Sequence, residues 1–283
     1  MLTIFTIPKP FNGLINIIQR NAITSWLKLK PACEIILFGD EYGIEEISQE
    51  LKVSHVKLVM KNDLGTPILG DVFHTVQRIA SYDTIVYANS DIIFTQDLMQ
   101  AIKKIKIQSF LLCGQRWDLD VQEEIDFDNE PFLNNVIEQA KGSKPLNLAA
   151  MDYFIFPRNS IKMPAFTVGR PGWDSWLVYH MRAKKIPVID ATQEITVFHQ
   201  NHDYSHSKYG EHKRVGGPEW KSNISLAGGF SNMCTLRDAD WLLTKDGLKR
   251  PKYVRRIYSC ISLFYPWRML LAAKRILMNK LDM

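Results

Sequence analysis

The side chains best suited to chemistry follow short apolar segments that predict strands. Three such segments end in polar or turn-forming residues, namely Thr6, Ile7 and Pro8, then Asp40 and Glu41, and then Asn89, Ser90 and Asp91. Ligands of open parallel sheets bind in the crevice beyond the carboxyl ends of the strands, so we expect these residues to line one crevice. No glycine-rich phosphate loop follows any of these strands, which argues against a dehydrogenase or a kinase.

Histidines and mixed acidic and aromatic groups form further candidates. Three of the seven histidines lie within eight residues, at His199, His202 and His206. A zinc site is not favoured, because no cysteine lies at suitable spacing, and a polar surface loop is the alternative interpretation. Carboxylates and indoles suit the hydroxyls and the apolar face of a sugar ring, although buried structural tryptophans and helix caps explain the same residues equally well; the candidates are Asp152, Trp117, Asp118 and Asp120.

The elements that position these residues alternate between strands and helices. Apolar patterns predict strands at 2–7, 34–38, 55–60 and 84–88, separated by helices at 14–29, 44–51 and 69–80. This alternation predicts βαβ units and a parallel sheet, with segment 84–88 near its centre. Farther on, strands are predicted at 110–113 and 153–157. A chain of 283 residues with 46% hydrophobic content can bury the core of one large α/β domain.

The segment from Thr84 to Phe94 resembles the metal-binding strand of GT-A glycosyltransferases, in which an apolar strand enters an Asp-any-Asp motif. Asn89 here replaces the first aspartate. With the preceding βαβ order, the resemblance covers about residues 1–200 at fold level, and bacterial nucleotide-sugar transferases of polysaccharide assembly are the most similar group. It implies a Rossmann-like, mixed, mostly parallel sheet flanked by helices. We place this domain at 1–245, with a nucleotide-binding half at 1–107 and an acceptor-facing half at 108–245.

The resemblance also implies roles for the residues at the strand ends. Asp91 is the first choice of ligand for Mn²⁺ or Mg²⁺, which neutralises the charge of a donor diphosphate. Asn89 and Ser90 provide weaker donor contacts, and an ordinary turn or helix cap is the alternative for this segment. Nucleoside contacts are expected from Asp40, Glu41, Thr6, Ile7 and Pro8, with a solvated turn as the alternative for the two acidic residues. Arg78 either faces the diphosphate or lies at the surface.

The segment from Gly169 to Leu177 resembles the turn and helix start that carry the catalytic carboxylate of inverting GT-A enzymes. Asp174 is therefore the candidate general base, and helix capping is its alternative role. A retaining reaction removes the base role. By the same resemblance, His199 or His202 completes the metal or diphosphate site. The polar and aromatic composition around Asp152 and Asp118 suits recognition of the donor sugar or the acceptor, and Asp152 is a second catalytic candidate.

Residues 246–283 form a basic, aromatic tail. Nine Lys or Arg residues lie in 249–283, the apolar part is too short to span a bilayer, and Pro266 interrupts it. This composition suits an amphipathic helical segment on an anionic membrane surface, whereas covering the domain or touching nucleic acid are the alternatives. The four scattered cysteines and the absence of a signal-peptide pattern predict a cytoplasmic protein, peripheral at the inner membrane.

These features together predict a metal-dependent glycosyltransferase. It moves a sugar from a nucleotide-diphosphate donor, with a UDP-sugar favoured, to a glycan or lipid-linked acceptor, and no nucleic-acid partner is expected. Two alternatives stay open: a non-catalytic protein that binds a nucleotide sugar or glycan, which Asn89 makes admissible, and a sugar-1-phosphate nucleotidyltransferase, whose glycine-rich signature loop is not found.

Overall fold

The computed structural model describes residues 1–129, 134–135, 137–138, 142, 144–202 and 215–252. Within this part, twelve strands form two sheets: β1 Thr3–Thr6, β2 Glu34–Phe38, β3 Ser54–Val56, β4 Thr84–Ala88, β5 Ile92–Phe94, β6 Leu111–Cys113, β7 Trp117–Leu119, β8 Tyr153–Pro157, β9 Val188–Asp190, β10 Val197–Gln200, β11 Trp241–Thr244 and β12 Gly247–Lys249. The helices are α1 Gly13–Leu27, α2 Ile44–Leu51, α3 Leu69–Ile79, α4 Asp97–Lys103, α5 Trp173–Ala183 and α6 Pro218–Leu226, and two 3₁₀ turns follow at Phe230–Asn232 and Leu236–Asp238.

The large sheet has nine strands in the order β12-β11-β9-β6-β8-β4-β1-β2-β3. Five neighbouring pairs are parallel and three are antiparallel, because β8 runs against both β4 and β6 and β12 runs against β11. The prediction of a mixed, mostly parallel sheet flanked by helices is confirmed. As predicted, β4 is an interior strand, and it lies between β8 and β1.

The strands and helices of the first ninety residues follow the predicted pattern closely, with one exception. Strand β3 ends at Val56, whereas the sequence predicts a strand to residue 60. Beyond Val56 the chain follows the surface: Val59 still packs against the core, whereas Leu58 is 89% exposed and Met60 is 65% exposed. The chain instead enters a turn closed by a bridge between Lys61 and Pro67.

Two apolar clusters cover the two faces of the large sheet. On one face, α3 buries Val72, Phe73 and Val76, as its helical spacing predicts, and the Phe73 ring stacks on Phe156 at 5.6 Å. On the other face, Trp26 of α1 packs with residues of β1, β2 and β5. Fully burying such side chains contributes about 1.5–3 kcal/mol each, which holds the strand ends in fixed positions.

A small sheet in the order β5-β10-β7 lies beyond the end of β4. Strand β10 pairs antiparallel with β5 and parallel with β7, so that His199 stands opposite Ile92 on one side and Asp118 on the other. Helix α1 fixes this sheet by hydrogen bonds from Trp26 Nε1 to the Ile92 carbonyl oxygen at 2.9 Å and from the Phe94 N–H to Ser25 Oγ at 3.2 Å.

The large sheet continues to β12, which ends at Lys249, so it extends beyond residue 245, where the sequence predicts the domain to end. Most of the basic tail, residues 253–283, lies outside the described residues, as does His206. No helix in the described ranges has both the length and the apolar character needed to cross a bilayer.

Candidate active site

The candidate site lies where β4 ends and the chain turns into β5. The turn Asn89–Asp91 is closed by a hydrogen bond from the Ile92 N–H to the Asn89 carbonyl oxygen at 3.2 Å. Asp91 is buried, and its own carbonyl oxygen accepts the Gln200 N–H at 3.1 Å. The turn therefore joins the large sheet to the small one and directs Asp91 into the space between them.

Asp91, His199 and His202 form one group, here called the Asp91 cluster. Asp91 Oδ2 lies 3.1 Å from His202 Nε2 and 3.7 Å from His199 Nε2. One ligand atom from each of the three residues lies within 4.8 Å of the others. The small sheet produces this arrangement, because it places His199 directly beside the strand that follows Asp91.

The donor atoms of the Asp91 cluster fit a divalent cation. Asp91 Oδ1 is buried and accepts no hydrogen bond from any described residue. Leaving a buried carboxylate oxygen unpaired is costly, so a cation that binds this oxygen removes the penalty. Carboxylate oxygen suits Mg²⁺ and Mn²⁺, and imidazole nitrogen suits the transition metals, so the mixed set is compatible with Mn²⁺.

The electrostatics of the cluster keep Asp91 ionised. Burial opposes its ionisation, but the hydrogen bond with His202 and the charges of His199 and Lys9 outweigh burial. Together they hold the pKa of Asp91 well below its ordinary value of 3.8. Asp91 is thus available as an anionic ligand across the physiological pH range.

Asn89, Arg116 and Asp152 form a second group, here called the Asp152 cluster. Asn89 Nδ2 donates to Asp152 Oδ1 at 2.7 Å, and Arg116 pairs with Asp152 Oδ2. Tyr87 Oη donates to Asn89 Oδ1 at 3.0 Å. An aspartate at position 89 would place a second carboxylate against Asp152 and could not donate this hydrogen bond. The side-chain amide of Asn89 can donate it.

Asp152 is therefore engaged at both oxygens. Burial raises the pKa of Asp152, as does the charge of Asp91, and the Arg116 guanidinium partly offsets both. Arg116 Nε also lies 3.4 Å from Asp118 Oδ1, and Asp118 Oδ1 lies 3.3 Å from His199 Nδ1. Asp118 and Arg116 thus connect the Asp152 cluster to the Asp91 cluster.

Asp174 lies in the first turn of α5 beside this pair of clusters. Its Oδ1 accepts the Ser175 N–H at 2.8 Å and the Gly172 N–H at 3.2 Å, while Oδ2 accepts no hydrogen bond from the described residues. Burial raises the pKa of Asp174, as does the charge of Asp152, and the backbone N–H groups partly counter this. Asp174 thus bonds backbone N–H groups at the start of α5, as its helix-capping interpretation expects, and its role as a general base stays a prediction.

Packing ties the start of α5 to the end of β4. The Trp173 and Tyr87 rings meet edge to face with centroids 5.2 Å apart, and Tyr87 in turn bonds Asn89. Helix α6 fixes the loop before α5, since the buried Asn223 bonds the backbone of Thr167 and Arg170 at 2.9–3.2 Å. The position of Asp174 is therefore set from both sides.

The residues expected at the nucleoside lie at the same edge of the large sheet. Thr6, Ile7 and Pro8 end β1 and are buried, and Thr6 Oγ1 has no hydrogen-bond partner among the described residues. Asp40 and Glu41 follow β2, and both pair with Lys61. The distance from Lys61 Nζ to Glu41 Oε1 is 3.3 Å. Their contacts with a nucleoside stay a prediction.

Arg78 is not brought to this edge, which corrects the expectation that it can face the diphosphate. It is exposed in the last turn of α3, and that turn leads into the amino end of β4. A five-residue strand spans about 17 Å, so Arg78 and Asp91 lie at opposite edges of the sheet. Because the end of α3 leads directly into the start of β4, the last turn of the helix has to lie at the amino edge of the sheet, and Arg78 lies there with it.

Three site residues were missed from the sequence: Lys9, Gln19 and Arg116. Lys9 Nζ lies 3.4 Å from His202 Nε2, across 193 positions of sequence. The sequence does contain a signal for Gln19, which is a polar residue among the apolar positions of α1. In the structure Gln19 is 1% exposed. Arg116 directly precedes Trp117 and Asp118, so it belonged to a segment already singled out.

Comparison with solved structures identifies the fold. A mannosyltransferase from Pyrobaculum calidifontis, solved with GDP-Man and Mn²⁺, matches with a TM-score of 0.51 and 12% identity over 96% of this chain and 73% of that one. Two weaker matches follow. Staphylococcus aureus TarS 1–349 with UDP-GlcNAc matches with a TM-score of 0.47 and 13% identity over 80% of this chain. A putative nucleotide-diphospho-sugar transferase from Desulfovibrio desulfuricans matches with a TM-score of 0.42 and 14% identity over 80% of this chain and 96% of that one.

No protein family matches the sequence, and no curated protein matches it either. The chain spans 58% and 65% of the length of two TarS 1–349 structures that it resembles, the second of them solved with UDP-GlcNAc. At such low identity the likeness concerns the fold alone. The order of strands, the interior β4 and the likeness over nearly the whole chain agree, and the protein therefore has a GT-A-like α/β fold.

Proposed function

We propose that this protein is a nucleotide-sugar glycosyltransferase. The observation that carries the proposal is the Asp91 cluster, which joins one buried carboxylate and two imidazoles at the carboxyl end of β4 and has Asp174 on the neighbouring helix. The resemblance of segment 84–94 to the GT-A metal-binding strand supports the same function. The mannosyltransferase of similar fold, which was solved with GDP-Man and Mn²⁺, adds support.

Asp91, His199 and His202 would hold the metal ion. A bound Mn²⁺ or Mg²⁺ supplies positive charge for the diphosphate, and charge of this kind stabilises a phosphate leaving group. The buried Oδ1 of Asp91, which has no hydrogen-bond partner among the described residues, would gain a partner from this contact. Manganese is favoured over magnesium, because two of the three ligands are imidazoles.

Asp174 would act on the acceptor. The acceptor oxygen forms a bond to the anomeric carbon, the bond from that carbon to the diphosphate breaks, and Asp174 Oδ2 takes the hydroxyl proton. The backbone N–H groups of Gly172 and Ser175 hold Oδ1 and leave Oδ2 to the acceptor. This role requires inversion at the anomeric carbon.

The other residues would bind and orient the substrates. Asp40, Glu41 and the Thr6–Pro8 segment form the proposed nucleoside side, with a UDP-sugar as the preferred donor. Asp118 and Asp152 lie on the sugar side, and Ser90 and Asn89 shape the turn that carries Asp91. Positioning of this kind contributes much of the barrier reduction in two-substrate reactions.

The acceptor side of the proposal concerns a glycan or a lipid-linked glycan in polysaccharide assembly. We propose a domain at 1–252, with the basic residues that follow held at an anionic membrane surface on the cytoplasmic side. Six of the nine Lys or Arg residues in 249–283 follow residue 252, and each adds about 1 kcal/mol of attraction near such a surface, which supports this placement. No nucleic-acid partner is proposed.

A donor-hydrolysis screen tests the proposed function. The purified chain is incubated with UDP-, GDP-, ADP-, CDP- and dTDP-sugars, with Mn²⁺, with Mg²⁺ or with EDTA, and the released nucleoside diphosphate is measured. We expect release from one donor class that depends on the metal and rises when a suitable acceptor is added. Saturable binding without release on any acceptor would contradict a transferase and favour the non-catalytic alternative.

A further inference from the structure

A lysine lies against the Asp91 cluster and has no part in the roles described so far. Lys9 Nζ is 3.4 Å from His202 Nε2, and His202 Nε2 is in turn 3.1 Å from Asp91 Oδ2. The charge of Lys9 is among those that lower the pKa of Asp91. A full positive charge therefore lies within a few ångströms of the atoms that fit a divalent cation.

The backbone of Lys9 is fixed by a single buried amide. The Lys9 N–H donates to Gln19 Oε1 at 2.6 Å, and Gln19 Nε2 donates to the Lys9 carbonyl oxygen at 2.9 Å. Ser90 Oγ donates to the same Gln19 Oε1 at 2.8 Å. Gln19 thus joins the loop that carries Lys9 to the turn that carries Asp91, and the two charges are held in a fixed relation.

The residues on either side of Lys9 further restrict the backbone conformation of this loop. Pro8 and Pro10 flank Lys9, and each has its φ angle restricted by its ring. A long lysine side chain loses up to about 2 kcal/mol of rotamer entropy when it is held in place. Fixing the backbone on both sides therefore limits the additional ordering to the side chain itself.

A bound cation and the ammonium of Lys9 repel each other unless an anion lies between them. Like charges only a few ångströms apart destabilise each other, and partial burial strengthens this repulsion. A diphosphate is such an anion, because its oxygens can contact the metal on one side and an ammonium on the other. Lysine is an established point-charge partner of phosphate.

We propose that Lys9 is a further donor-binding residue, whose ammonium contacts the diphosphate of the nucleotide sugar, and that Gln19 is the residue that positions it. This inference rests on the proposed function, since it concerns the same donor. It assigns the donor phosphates to the space bounded by Lys9, Asp91 and His202. The alternative role for Lys9 is to balance the charge of Asp91 and keep the cluster in shape.

Calorimetric titration of four proteins separates these roles: the wild type, Lys9→Met, Lys9→Arg and the control Lys28→Met. Lys28 is an exposed lysine that follows α1 and pairs with Asp128 at 2.6 Å. Each protein is titrated with Mn²⁺ alone, and with UDP and GDP in the presence of Mn²⁺. Lys9→Gln replaces Lys9→Met if the latter fails to fold.

We expect Lys9→Met to weaken binding of the nucleoside diphosphate by about tenfold or more, as the loss of one charge-assisted phosphate contact predicts. Binding of Mn²⁺ alone should be unchanged or tighter, because a neighbouring like charge has been removed. Lys9→Arg should retain most of the affinity, and Lys28→Met should match the wild type.

Two results overturn this inference and leave the proposed function standing. One is nucleoside-diphosphate binding by Lys9→Met within about twofold of wild type. The other is an equal loss of Mn²⁺ binding and nucleotide binding, which means that Lys9 only shapes the cluster. A wild-type protein that binds neither UDP nor GDP with Mn²⁺ overturns the proposed function, and the role of Lys9 with it.

Discussion

The two polar clusters at the end of β4 differ in how their hydrogen bonds are satisfied. Within the Asp152 cluster, both oxygens of Asp152 are engaged, by Asn89 and by Arg116. Within the Asp91 cluster, Asp91 Oδ1 is buried and unpaired in the described part of the chain. Only two positions of sequence separate Asn89 from Asp91, yet one side chain completes the scaffold and the other is left with an atom for a ligand.

This difference explains how a motif with Asn in its first position can serve a metal site. The amide at position 89 replaces a carboxylate that would face Asp152, and further metal ligands come instead from His199 in the small sheet and from His202, two residues beyond the end of β10. The negative charge is thus concentrated on one carboxylate whose pKa is low. Substitutions in the two clusters should therefore have different effects.

The largest effect is expected from Asp91→Asn. This change removes the only carboxylate of the Asp91 cluster, so Mn²⁺ binding should fall at least about 100-fold and transfer should become undetectable. Calorimetry with Mn²⁺ and a donor-hydrolysis assay measure both. Asp83→Asn is the matched control, because Asp83 is an exposed carboxylate just before the amino end of β4, where it pairs with Arg158 at 3.4 Å.

A large effect on turnover alone is expected from Asp174→Asn. The loss of a general base lowers kcat by about 10²–10⁴-fold, whereas donor binding should stay within about twofold of wild type. The wild-type rate should also fall as pH decreases through the pKa of Asp174, which lies above its ordinary value because of burial. A rate that stays constant down to the ordinary carboxyl range would be inconsistent with the base role.

A smaller effect, on stability, is expected from Asn89→Asp in the Asp152 cluster. A donated hydrogen bond is replaced by two facing carboxylates, which should cost about 1–3 kcal/mol. For a domain of this size that lowers the Tm by roughly 2–4 °C per kcal/mol. Thermal unfolding at pH 7 measures the change. Tighter Mn²⁺ binding by this variant would contradict the structural role of Asn89.

Acid sensitivity of the loop before α5 gives a finer comparison. Burial opposes ionisation of Glu219, but hydrogen bonds from Thr66 and Asn62 and the pair with Arg170 at 2.6 Å hold its pKa below the ordinary 4.5. The ionised form therefore stabilises the fold above about pH 4.5, and this stability is lost as pH falls through the lower, folded pKa. Glu219→Gln should reduce stability at pH 7 and flatten this acid dependence in denaturant titrations.

The smallest effect on catalysis is expected from removing residues 253–283. A chain ending at residue 252 keeps β12 and should retain its activity on a soluble acceptor within about twofold. Its flotation with anionic liposomes should be lost, since most of the basic residues are gone. Equal flotation of both chains would remove the membrane part of the proposal.

The sequence was sufficient where one pattern determines one element. Strand β4 is a run of apolar residues, four of its five residues are buried, and α3 shows its buried face in the spacing of Val72, Phe73 and Val76. The strands β5, β7 and β10 have three or four residues each, too few for a period to be read. Their pairing depends on partners more than 70 positions away.

The sequence predicted the candidate site only in part. Asp91 was found because it directly follows a central strand, and the histidines because they are crowded together. Lys9 and Gln19 could not be assigned, because their roles depend on a contact with His202 across 193 positions and on a bond to Ser90 across 71. Arg78 lies at the surface, the second of its two predicted placements, and the order of elements already implies this, because the last turn of α3 leads to the amino end of β4.

The most direct test is a crystal structure of the protein with Mn²⁺ and a non-hydrolysable nucleotide sugar, using the anomalous signal of manganese. We predict one manganese ion bound by Asp91, His199 and His202 at about 2.0–2.3 Å, with diphosphate oxygens completing its coordination. A diphosphate bound elsewhere, with Asp91 remote from both metal and phosphate, would contradict the assignment of this site.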